Sequence, residues 1–123
     1  MSKIILTVDD SRTMRDMLAM ALNDAGFTVV QAVDGEDGLA VLAEHADHVD
    51  VIITDINMPK LDGFGFIEGV RQNQRHRAIP ILVLTTESDA TKKDRARQAG
   101  ATGWIVKPFN PVKLIEAIRR VAA

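Results

Sequence analysis

The chain has 123 residues, of which 46% are hydrophobic and 26% charged, and a net charge of −2. That size suits one domain, 1–123, with a core of useful volume, and the near-neutral charge gives no general attraction to nucleic acid or to a membrane. The absence of cysteine excludes disulfides and thiol chemistry, and with no signal peptide or long apolar run the expected location is the cytoplasm.

Strands and helices are predicted in strict alternation. The first strand, 3–8, carries Ile4-Ile5-Leu6-Thr7-Val8. A helix from Ser11 to Ala25 follows, with Met14, Leu18, Ala21, Leu22 and Ala25 on one face and Gly26 as its C′ residue. After a strand at 27–32, a helix at 36–46 presents Leu39, Leu42, Ala43 and Ala46. The third strand is 49–54, and the helix at 63–73 uses Phe64, Ile67 and Val70. A fourth strand at 80–85 leads to a weakly apolar helix at 88–99, which has Ala90, Ala96 and Ala99 but also Lys92, Lys93, Arg95 and Arg97. The fifth strand is 102–107, and the last helix opens with Asn110 as N-cap and Pro111 at its first position, runs to Ala123 and buries Leu114, Ile115, Ile118 and Val121. Short β-branched runs with little polar interruption are the pattern of strands buried on both faces of a parallel sheet. With helices between them, they imply an α/β fold, a doubly wound five-stranded parallel sheet with five helices.

Such a sheet binds ligands along the edge formed by the carboxyl ends of its strands. Polar residues sit at those ends here: Asp9 and Asp10 after the first strand, Asp55 after the third, Thr85 at the end of the fourth and Lys107 at the end of the fifth. Two like charges about 4 Å apart repel by roughly 4 kcal/mol at a surface-like dielectric, so a cluster of acids calls for a cation. Hard carboxylate oxygens suit Mg²⁺, which keeps waters for a phosphate to displace. A lysine and a hydroxyl complete the parts that neutralise a phosphoryl group moving onto a carboxylate. A solvated turn is the ordinary explanation for any one strand-end acid, but five matching ends are not explained that way.

Four stretches resemble the receiver domain of two-component response regulators over essentially the whole chain: VDDSRTMR (8–15), DVIITDINMPKLDGF (50–64), ILVLTTE (81–87) and GATGWIVKPF (100–109). The wording is most similar to that of the single-domain chemotaxis regulators. The resemblance implies the sheet order 2-1-3-4-5, for which this family is itself a standing example. It implies a phosphoacceptor at Asp55, and Mg²⁺ held by Asp9, Asp10, Asp55 and the backbone carbonyl of Asn57. A switch hydroxyl at Thr85, a phosphate-contacting Lys107, an aromatic switch at Trp104 and a cis Lys107-Pro108 bond also follow from it. Asn57, Glu87 and Thr86 would tune dephosphorylation, with the extra methyl of Thr86 narrowing access to Asp55. The implied partners are a sensor histidine kinase and a protein target, such as a flagellar motor switch, on the face made by helix 4, strand 5 and helix 5. Neither nucleic acid nor membrane is implied, and the chain would be no enzyme beyond self-catalysed phosphoryl acceptance and loss. Alternatives are a phosphorelay intermediate or phosphate sink, and a metal-dependent phosphohydrolase. Against the hydrolase, Asn57 stands where such enzymes need a second acid. Other features carry less: His45 and His48 lack a third ligand, Arg75-His76-Arg77 reads as an exposed connection, and Gly35 and Gly38 lack a P-loop's lysine.

Overall fold

A computed structural model of the chain describes residues 2–45 and 48–122. Ala46, expected on the second helix's apolar face, and Ala123, the expected chain-end of the last helix, lie outside the described residues. The elements are β1 (Ile4–Val8), α1 (Arg12–Asp24), β2 (Thr28–Ala32), α2 (Gly35–Glu44), β3 (Val49–Thr54), α3 (Gly63–Gln72), β4 (Ile81–Thr85), α4 (Ala90–Ala99), β5 (Gly103–Val106) and α5 (Pro111–Val121). Each helix begins where a short polar side chain accepts an orphan amide of the first turn. Ser11, Asp34, Asp62, Asp89 and Asn110 play that part in turn. Asp89 explains why α4 starts at Ala90 and not at the expected 88.

All strand pairs are parallel, in the order β2-β1-β3-β4-β5. Side chains alternate between the two faces, so each strand feeds two cores. Ile5, Val51, Ile53, Leu82 and Leu84 pack with Leu18 and Leu22 of α1 and Leu114 and Ile118 of α5. Leu6, Val8, Ile52, Ile81 and Val83 pack with Leu42 of α2, Phe64, Phe66, Ile67 and Val70 of α3 and Ala96 of α4. Between β1 and β3 the register slips by one residue, from Ile4 opposite Val49 to Ile5 opposite Val51. The residue passed over, Asp50, accepts the Ile4 amide at 2.7 Å through its carboxylate, so the donor remains satisfied.

Three expectations need correction. Ala43 faces solvent: the buried residues of α2 are Gly35 against Leu61, Gly38 against Phe66 of α3, and Leu42 in the core. The β5 run is not buried on both faces; it is an edge strand, and Val106 is 43% exposed. His76 is buried at 4% exposure, since the connection after α3 folds inward in a turn whose His76 and Arg77 amides donate to the Asn73 carbonyl. Arg71 fastens that connection: its guanidinium donates to the carbonyls of Arg77, Ile79 and Gly100. Gly100 closes α4 at φ 120, a conformation that disfavours any side chain. Among the described residues no helix is long and apolar enough to cross a membrane.

Candidate functional site

The strand ends meet as the parallel sheet requires. Lys107 Nζ lies 3.0 Å from Asp9 Oδ2 and 2.9 Å from Asp55 Oδ2, across 98 and 52 residues of sequence. The second oxygen of each acid takes a backbone amide: Ser11 donates to Asp9 Oδ1 at 2.9 Å and Ile56 to Asp55 Oδ1 at 2.6 Å. Asp9 and Asp55 are 2% and 9% exposed, and Asp10 is exposed beside them. The three acids can bring one oxygen each to within 4.8 Å of one another, and they are the sole group of three or more such ligands among the described residues. His45 and His48 join no such group.

Three carboxylates against one ammonium leave the site with surplus negative charge. Burial raises the Asp9 pKa, and the Ser11 amide and Lys107 undo only part of that. For Lys107, burial opposes the charge, but its hydrogen bonds to Asp55 and Asp9 outweigh it and the pKa is raised. Hard, partly buried oxygens with charge to spare fit a small divalent cation, so the residues present pass the test for Mg²⁺.

The backbone around Asp55 is tightly drawn. Its amide donates to the Val8 carbonyl at 3.0 Å, its own carbonyl accepts from Thr54 Oγ1 at 2.9 Å, and Gly63 donates to Ile56 O at 2.8 Å. A Cβ on Gly63 would run into the Asp55 carbonyl and Ile56 Cα, so only glycine permits α3 to start this close behind the site. In the loop between, Lys60 has φ 67 and the Leu61 amide donates to Pro59 O at 2.8 Å, a tight and strained turn. The Lys107-Pro108 bond is cis.

Thr85 is fully buried, and its Oγ1 accepts the Glu87 amide at 3.3 Å. Thr86 is exposed. Trp104 is half-buried: its ring packs against the core under α3 and α4, and its indole N–H donates to the Glu87 carbonyl at 3.1 Å. The Glu87 side chain reaches the other way. Its Oε1 accepts from Asn57 Nδ2 at 3.0 Å and lies 3.1 Å from Lys92 Nζ on α4. The Asn57 hydrogen bond, followed by that of Lys92, lowers the Glu87 pKa. Sequence reasoning placed Lys92 only on a basic helix face. Glu87 precedes α4, so helical spacing gives no sign that the two meet.

The family model for the response regulator receiver domain matches residues 5–119. A probable chemotaxis protein CheY of Rhizobium etli is 39% identical over 118 residues, covering 95% of this chain and 90% of that protein. The solved structure of the chemotaxis protein CheY4 of Vibrio cholerae superposes with a TM-score of 0.92 at 44% identity, covering 98% of this chain and 99% of that one. The receiver domain of sensor histidine kinase PA1611 from Pseudomonas aeruginosa PAO1, solved with a magnesium ion coordinated in its active-site cleft, gives a TM-score of 0.88 at 26% identity and covers 99% of this chain and 98% of that domain.

Proposed function

This chain belongs to the response regulator receiver family, and from that premise we propose that it takes a phosphoryl group from the histidine of a sensor kinase onto Asp55 and thereby switches a protein-binding face. The observation that carries this reading is the shared grip of Lys107 on Asp9 and Asp55, at 3.0 and 2.9 Å, at the mouth of an acid cluster. In the transfer, an oxygen of the Asp55 carboxylate bonds to phosphorus as the bond from phosphorus to the histidine nitrogen breaks, and the imidazole leaves. The Ile56 amide fixes the orientation of the attacking Asp55 side chain. Lys107 is placed to receive the phosphoryl oxygens with its full positive charge.

Asp9, Asp10, Asp55 and the Asn57 carbonyl would hold Mg²⁺. When bound, that ion supplies charge that quiets the acids and the transferred phosphoryl oxygens. The buried Thr85 hydroxyl is the group that would turn toward the phosphoryl group, and Trp104, tied to the same β4–α4 loop, would move in response. The output face is that of α4, β5 and α5, where Lys93, Arg97, Thr102 and Trp104 line a cavity of about 130 Å³. Action in chemotaxis is favoured by two relatives described as chemotaxis proteins, 39% and 38% identical over 118 residues. No turnover of an outside substrate is proposed beyond acceptance and loss of the phosphoryl group.

Labelling with acetyl phosphate in Mg²⁺ tests the assignment. Wild type should acquire an acid-stable, base-labile acyl phosphate and Asp55→Asn should acquire none. Undiminished labelling of that variant overturns it.

A further inference from the structure

Glu87 sits where three elements meet. Its Oε1 accepts from the Asn57 side chain, two residues beyond Asp55 on the β3–α3 loop, and pairs with Lys92 on the first turn and a half of α4. Asn57 and Glu87 therefore form a polar strap across the rim of the site, with its far end anchored on the helix of the proposed output face. The anchoring pair is more than a quarter exposed on both sides, 41% and 28%, so it adds little to stability. What it does is hold the Glu87 carboxylate in one place.

We propose that Lys92 is a positioning residue for the loss of the phosphoryl group: by pinning Glu87 against Asn57 it keeps the strap closed and slows entry of the attacking water. This inference rests on Asp55 being the phosphoacceptor. In the hydrolysis, the water oxygen bonds to phosphorus, the bond from phosphorus to the Asp55 oxygen breaks, and the carboxylate, phosphate and a proton are released. The water must come from the side of phosphorus away from Asp55, and the Asn57–Glu87 bond ties together the β3–α3 and β4–α4 loops that follow Asp55 and Thr85 at this sheet edge. Removing the lysine frees Glu87 and loosens Asn57 with it. The same change leaves the Glu87 charge unneutralised at the rim, which hinders an anionic donor but not a neutral water. The two half-reactions should therefore respond in opposite directions, a split that simple loosening of the fold does not produce.

The test is Lys92→Met, labelled with acetyl phosphate in Mg²⁺, freed of donor and followed for loss of acyl phosphate. Its hydrolysis should quicken by about threefold to tenfold, the scale of coupling within one polar network, while labelling slows and the melting temperature holds. Lys92→Arg should restore the wild-type lifetime. In a Glu87→Gln background, Lys92→Met should change nothing further, because the strap has already lost the charge that Lys92 holds. Unchanged hydrolysis in Lys92→Met, or a full additional effect in the Glu87→Gln background, overturns the strap. Failure of the wild type itself to take label overturns the phosphoacceptor reading, so the two failures are distinguished.

Discussion

Lys107 answers two carboxylates whose side chains are only 3% and 11% exposed, and its own is 11% exposed. Breaking a buried ion pair by removing one partner leaves the other charges uncompensated, at a cost of about 3–5 kcal/mol. Lys107→Ala should therefore lower the free energy of unfolding in urea by that order without metal, and Mg²⁺ should recover more of the loss in the variant than it adds to wild type. Equal stability of the two metal-free proteins would show that the acids are relieved in some other way. Asp9 yields a pH dependence with a definite sign. Its folded pKa is raised above the ordinary 3.8, chiefly by burial, so the folded state keeps the proton that the unfolded state gives up. Stability of the metal-free protein should then fall as pH rises from 3.8 through the folded pKa, and level off beyond it. Asp9→Asn should lack that component in a series of urea midpoints against pH. Across the same window protons compete with Mg²⁺, so acidification should weaken metal binding at a higher pH than an ordinary aspartate would.

At the scale of elements, the sequence carries what is local and periodic, and little that depends on distant neighbours. The start of α5 is readable because Asn110 caps it, whereas the Asp89 cap went unread and α4 was expected two residues early; the strand ends are readable because apolar runs stop at charged or hydroxyl residues. The site was legible for the same reason, since parallel strands must deliver Asp9, Asp55, Thr85 and Lys107 to one edge. Arg71 was not legible. It sits in the last turn of α3, where a basic residue is ordinary, yet it donates to three carbonyls from the α3–β4 and α4–β5 connections. The burial of His76 follows from the same inward fold of the chain and leaves no local trace. Hydrogen bonds from a charged donor contribute more than neutral ones, and those to the Ile79 and Gly100 carbonyls are partly buried. Arg71→Met should accordingly cost about 2–3 kcal/mol in urea unfolding, more than an exposed arginine on a helix would. A cost within about 0.5 kcal/mol of zero, the range of ordinary surface substitutions, would mean that the clamp is decorative.

For the whole molecule, the question is how a charge on Asp55 reaches a face across the sheet edge. Glu87 offers a short route: its amide is held by the Thr85 hydroxyl, its carbonyl by the Trp104 indole and its carboxylate by Asn57 and Lys92. Moving Thr85 toward a phosphoryl group must disturb that loop, and with it the tryptophan and α4. Turning a 1:99 equilibrium into 99:1 would take about 5.5 kcal/mol of differential binding. Under the proposed function, bonds from one phosphoryl group to Thr85 and Lys107 would supply part of that, so coupling of about 1–3 kcal/mol and a mixture of both forms at either end are expected. Amide hydrogen exchange reads the coupling directly. Mg²⁺ with acetyl phosphate should change protection of α4 and β5 amides by about 5- to 150-fold in wild type, the range that this coupling allows, and leave Asp55→Asn unmoved. Trp104→Ala should still accept the label at Asp55, because the indole N–H is engaged by the Glu87 carbonyl while Lys107, Asp9 and Asp55 hold one another. It should lose most of the change in α4, because the ring that packs against this helix's core side is gone. If the alanine variant shows the full wild-type response, the signal bypasses Trp104 and the ring serves only as packing.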